Sequence, residues 1–260
     1  MSTELAVVSG QDFAITKTDI TMLPELLSTN LGDLGDEGLR EFDLIRTGIP
    51  AGGSQSWTVP DAGGEPLSVP EIEGIVIFHG DRRAFWLRSF DETGGGTPPN
   101  CSSVDGRRGS GIIRGEEGEE PKQRACKTCP MSQWGSANPD NPDDNGQACT
   151  QRKVVFFMRK GDILPMVLDL APTSIKPFKM FAMQLTSRGI PFYGAVVAIG
   201  LRVENDGGPS GKIKYSVVNP RLVSRLDDET TKIMRSVREA IEPYVNRVSV
   251  IPLTSDGQPI

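Results

Sequence analysis

Histidine is almost absent from this 260-residue chain: the only one is His79, beside Gly80 and Asp81, where the local sequence reads as a turn. Acid–base or triad chemistry built on imidazole would rest on that one residue. Phosphate-cradling loops are missing as well. The glycine clusters at 94–96 and 109–111 lack the lysine and the strand-to-helix setting such loops need. No carboxylates recur at the spacing of a two-metal nuclease, and the acidic run 116–120 suits solvation better than rigid metal geometry. These absences argue against an enzyme. Nothing approaches the roughly 18 apolar residues in a row that read as a membrane-crossing helix. The first ten residues lack the basic start and long apolar stretch of a secretory signal. A reducing, cytoplasmic setting is expected, which disfavours disulfides.

Cysteine is confined rather than missing. Cys101, Cys126, Cys129 and Cys149 all lie in one polar segment, 91–151, and no others exist. Cys126-Lys127-Thr128-Cys129 is a C-x₂-C knuckle with one cysteine 25 positions before it and another 20 after. Four thiolates complete a tetrahedral zinc shell and leave no open position for a substrate. The segment has few apolar residues with which to build a core, and a metal can supply the folding free energy it lacks. One structural Zn²⁺ per chain is therefore the expected cofactor. Two disulfides, or a redox-active Cys-x-x-Cys, are the alternatives; His79 standing in for one thiolate is another.

The net charge of −6 conceals a strong asymmetry. Residues 1–75 carry 3 basic and 13 acidic side chains, whereas residues 150–225 carry 12 and 4. A basic block beside an acidic N-terminal third says more about partners than the overall balance does. The acidic portion could shield a basic groove or contact other proteins.

Glycine and proline are plentiful (29 and 20), so long irregular connections are expected. Residues 1–36 read as a weakly structured acidic leader with a short helix at 20–27, and 251–260 as a tail. Between them, 37–250 reads as one domain interrupted by the zinc-binding insertion at 91–151. Strands are predicted at 42–49, at 71–78 with a hairpin partner at 83–90, at 153–158, 163–169, 192–203 and 212–218. A helix is expected from Pro172 to Gly189, with Thr173 or Ser174 as its N-cap and Gly189 as its left-handed stop, and a second over 226–245. The class is mainly β (α+β). The order suits an oligonucleotide/oligosaccharide-binding (OB) barrel with a Cys₄ zinc-ribbon insertion and flanking helices.

Several predicted strands mix aromatic and basic residues, the combination that lets a protein stack on unpaired bases while cations track phosphates. Candidate nucleic-acid contacts are Arg82, Arg83, Trp86 and Arg88 in one strand, Lys153, Phe157 and Arg159 in another, and Lys212 and Lys214 in a third. Period-2 alternation puts Trp86 with Arg88 on one face, and Phe157 between Lys153 and Arg159 on another.

A family resemblance rests on particular runs. They are Trp86, Pro98-Pro99-Asn100-Cys101-Ser102-Ser103-Val104-Asp105-Gly106, Cys126 to Pro130, Trp134-Gly135-Ser136, Cys149 and Leu170 to Lys176. Over roughly residues 72–218 the chain resembles bacteriophage and mobile-element single-stranded DNA-binding proteins. The resemblance implies an OB barrel with a zinc-stabilised insertion, distantly like the T4-type helix-destabilising proteins, which use a histidine among their ligands. A non-catalytic, sequence-tolerant protein that protects or organises single-stranded DNA in replication or recombination is the resulting expectation, in the host cytoplasm if phage-encoded. Its partners would be single-stranded DNA, replication or recombination proteins reached through the acidic segments, and neighbouring copies along the strand. A zinc-ribbon adaptor for proteins or transcription, or a zinc-stabilised nuclease or recombinase, are the other readings.

Overall fold

The computed structural model of the chain describes residues 44–50, 52–60, 64–88, 98–138, 140–141, 145–205 and 214–245, with isolated positions at 7–8, 22, 25–26 and 29–30. The expected helix at 20–27 lies largely outside the described residues, and the tail from 251 wholly so.

One long strand organises the molecule. β5 (Glu71–Phe85) is continuous where the sequence suggested a strand, a turn at 79–81 and a hairpin return. It pairs antiparallel with β9 (Thr150–Arg159) from Gly74↔Arg159 to Ala84↔Thr150. A bulge between Val76 and Phe78 absorbs one extra residue, so the strand can bend without leaving its partner. His79, Gly80 and Asp81 therefore sit opposite Val155, Val154 and Lys153 instead of reversing the chain. Gly74 permits the closest approach: a Cβ there would lie 2.2 Å from the Met158 carbonyl oxygen.

On its far side β9 pairs with β10 (Met166–Leu170), which pairs in parallel with β2 (Arg46–Gly48). The first half of β5 pairs with β11 (Ala195–Asn205), which forms a long hairpin with β12 (Lys214–Leu226). A two-residue β1 (Val7–Val8) runs parallel to the end of β12. The result is a large mixed sheet, mainly β in an α+β arrangement, and the described strands close no barrel.

In place of a closed barrel, the described strands form a sheet covered on both faces. Helix α1 (Pro172–Ser187) and the small hairpin of β3 (Trp57–Pro60) and β4 (Pro66–Val69) cover one face. There Phe178, Phe181 and Leu185 pack with Val155, Phe157, Leu168, Val197 and Trp57. Helix α2 (Asp228–Val245) covers the other, where Met234 and Val237 join Ile75, Ile77, Val154, Phe156 and Met158. Trp57 is fully enclosed and donates its indole N–H to the Ile199 carbonyl at 2.8 Å, which ties the small hairpin to β11.

Local chemistry at α1 differs between its two ends. Its start is not capped by a hydroxyl: Pro172 occupies the first turn, and the fully buried Ser174 uses its Oγ to accept the Val218 N–H at 3.1 Å. Its end is as expected. Gly189 has φ +68°, Gly189 N–H donates to Thr186 and Ile190 N–H to Leu185. This is a Schellman stop, with Ile190 and Leu185 in one core cluster. No helix among the described residues is long and apolar enough to cross a membrane.

Phe156 and Phe157 point to opposite faces of β9, and both are completely enclosed. Phe157→Ala is expected to destabilise the fold by about 3–5 kcal/mol in urea unfolding, the usual range for an aromatic deleted from a core. A near-neutral result would place that ring at a surface.

Candidate metal centre and nucleic-acid interface

The second half of β5 stays paired with β9 and carries the cysteine segment on its other edge. β6 (Cys101–Ser103) pairs with Arg83–Phe85 on the edge that β11 uses further down. β7 (Arg108–Gly111) and β8 (Lys122–Ala125) continue the meander. Cys101 opens β6, Cys126 and Cys129 bracket the single-turn 3₁₀ helix after β8, and Cys149 immediately precedes β9. Topology thus gathers cysteines that are far apart in sequence.

All four thiols are buried, none is in a disulfide, and all line one cavity of about 10 Å³. Such a space suits little more than one atom-sized occupant. A Cβ placed on Gly109 would sit 3.2 Å from Cys101 Sγ and 3.5 Å from Cys126 Sγ, so a side chain there would crowd both sulfurs. The knuckle is braced by its backbone. Ser132 Oγ donates to the Cys129 carbonyl at 2.8 Å, Cys149 N–H to Met131 at 2.8 Å, and Cys126 N–H to Arg107 at 2.7 Å. As the side chains stand, no group of three or more His, Cys, Asp or Glu among the described residues is arranged to hold a metal ion.

Two guanidinium groups flank the thiols. Burial pushes Cys149 up to about 11, with neighbouring Arg83 pulling the other way. Burial also raises Cys101, opposed by Arg124. Arg124 is held by a two-point pairing with Glu116, at 2.7 and 3.1 Å, and donates to the Gly111 carbonyl at 3.0 Å. Arg83 Nη1 and Arg124 Nε are buried without a hydrogen-bond partner among the described residues.

The basic–aromatic set disperses. Phe157 is core. Lys153 is buried and ion-paired to Asp81 at 2.8 Å, across the β5–β9 ladder. Arg82 is also buried. Arg159 donates to Asp162 at 2.7 Å and to the Pro60 carbonyl at 2.8 Å, which braces the β3–β4 hairpin. Arg83 reaches Gln151 at 3.0 Å and the cysteine cavity. Trp86 is half-buried, while Arg88 and Lys214 are exposed. Lys212 lies outside the described residues.

Sequence reasoning missed three features. Asp169 is buried on β10 between Arg152, at 2.6 Å, and Arg46, at 3.4 Å. Its partners lie on β9 and β2, so no local pattern announces the group. The exposed face of α1 presents Lys176, Lys179, Met180 and Met183, with no acidic residue anywhere in the helix. Trp134 in the cysteine module is 78% exposed.

His79 is not near the thiols. Its ring stands edge-on to Phe178 and Phe192, with centroids 5.6 and 5.2 Å away, beneath α1. Aromatic packing therefore accounts for the only histidine, and a mixed cysteine–histidine ligand set is not formed. No family model, curated protein or solved structure matches the chain.

Burial and the nearby Lys153 charge lower the His79 pKa from 6.5 to about 4, against a smaller opposing pull from Asp81. The unfolded chain takes up a proton as pH falls through 6.5, and the folded chain does so only near 4. Stability is thus full above pH 6.5 and is lost as pH drops toward 4, by up to roughly 3 kcal/mol. Urea unfolding at pH 7 and pH 5 checks this: His79→Phe is expected to flatten the difference, and an unchanged difference assigns it to other groups.

Proposed function

We propose that this chain is a non-catalytic, sequence-tolerant single-stranded DNA-binding protein whose cysteine module is held by one zinc ion. The observation that carries the DNA reading is a charge imbalance. In the basic block 150–225, each described acid is engaged by arginine: Asp162 by Arg159, Asp169 by Arg152 and Arg46, Glu204 by Arg202. Lys160, Lys176, Lys179, Arg188 and Lys214 are exposed and form no ion pair among the described residues. Lys176 and Lys179 project from α1, and Lys214 lies on the same side of the sheet, because it shares the face of β12 that holds Val218. An uncompensated cationic surface of this kind attracts a polyanion through counterion release. Met180 and Met183 add apolar contact among the lysines.

On this reading the binding surface is the α1 side of the sheet, and Trp86 and Arg88, just past the end of β5, are further candidate contacts. Trp86 offers a half-buried ring for stacking; the lysines track phosphates without reading sequence. Phe157, Arg82, Lys153 and Arg159 support the scaffold instead.

The residues fit zinc by their chemistry. Cys101, Cys126, Cys129 and Cys149 are four soft donors on one cavity, and two buried guanidinium nitrogens without partners offset the charge that four thiolates would bring. Bound zinc would contribute folding free energy to a module whose own core is small.

Fluorescence anisotropy of a labelled oligo-dT, with a duplex control and a salt titration, tests the DNA reading. Expected is preference for the single strand and an affinity that falls with salt. In a Lys176→Ala, Lys179→Ala variant the log–log slope should drop by roughly 0.7 for each phosphate no longer neutralised. No binding at low salt would sink it. Elemental analysis is expected to find one zinc per chain, absent from Cys149→Ser; a metal-free native protein would overturn the zinc proposal separately.

A further inference from the structure

A tryptophan with 78% of its surface in water is unusual, because burying so large a ring is among the strongest stabilising contributions a side chain can make. Trp134 is held in that position by a braced turn. Gln133 Nε2 donates to the Lys127 and Cys129 carbonyls at 3.0 and 3.1 Å. On the other side, Ser136 Oγ donates to Met131 at 2.9 Å and Gly135 N–H to Gly146 at 3.0 Å. The turn that carries the ring is therefore tied to the cysteine knuckle on one side and to Met131 and Gly146 on the other.

The neighbours decide what such a ring could take. Arg114 reaches the Ser136 carbonyl at 3.3 Å, two residues from Trp134, and Lys127 is exposed on the adjoining knuckle. Around the ring in sequence stand Gln133, Gly135, Ser136 and Asn138, with the exposed Asp140 beyond; Met131 is buried. Among the described residues of the cysteine module no other large apolar side chain is exposed, so the ring is not part of an apolar docking patch. An exposed aromatic face with two cationic residues, Arg114 and Lys127, bonded to its turn matches the requirement of an unpaired base: a π-surface to stack on, with phosphate charge met nearby.

We propose that Trp134 is a stacking platform for an unpaired nucleobase, which places the cysteine module in direct contact with the strand. This rests on the single-strand reading above. The module then has a binding role besides its structural one, because the knuckle sets the position of the ring.

The three tryptophans make the test clean. Trp57 is fully enclosed and Trp86 half-buried, so in a Trp86→Phe background the accessible indole emission belongs to Trp134. Titrating oligo-dT into that variant is expected to quench this emission. By anisotropy, Trp134→Ala should weaken dT binding roughly 5- to 150-fold, the range for one stacked base removed, while Trp134→Phe retains most of it. Unchanged zinc content and far-ultraviolet dichroism would show that the alanine variant is folded. If wild type binds dT but Trp134→Ala weakens it by less than about 5-fold and no quenching occurs, the platform is overturned and the single-strand reading stands. If wild type does not bind dT at all, both fall together.

Discussion

The pairing of β5 with β9 is the constraint on which the rest of the molecule depends. One uninterrupted antiparallel ladder, bulged once at Ile77, serves two structures at its two ends. Near Gly74 it is the centre of the main sheet, with β11 on one side and β10 beyond the other. Near Arg83 it is the stalk of the cysteine module, where β6 takes the edge that β11 has vacated. Slipping that ladder by one residue would exchange every side chain between the α1 and α2 faces. It would also misplace Cys149, which enters β9, relative to Cys101, which pairs beside Phe85.

Charge follows the same geometry. Where the ladder leaves the apolar core, its residues become Asp81, Arg82, Lys153 and Arg152; Lys153 pairs with Asp81 and Arg152 with Asp169. The Asp169 carboxylate between Arg46 and Arg152 joins three strands through one buried acid. Removing one member of such a group is costly, because it leaves an uncompensated charge in a poorly solvated place. The arginines that engage acids are scaffold. The lysines of α1, with no acid in their helix, are among the cations left facing water.

Much of the outline was legible in the chain. The strands around 71–78, 153–158 and 195–203, the two helices and the Gly189 stop all follow from β-branched runs, apolar periodicity and glycine's tolerance of positive φ. The hairpin expected at 79–81 did not form. Gly80 and Asp81 resemble a turn only locally, whereas ladder hydrogen bonds to Val154 and Lys153 keep the strand extended. Likewise Ser174 looks like a helix cap in sequence, but the orphan Val218 N–H competes for its hydroxyl.

By itself, the sequence determined that all four thiols belong to one segment poor in apolar residues. It also determined that the basic charge would concentrate in one block. Only the tertiary structure decided which basic and aromatic side chains meet water. Strand alternation identifies two faces but not which one is solvated. Here α1 and α2 land on opposite faces of the same sheet, so Phe157 is buried as completely as Phe156, while Trp134, in a turn with no alternation to read, stays exposed.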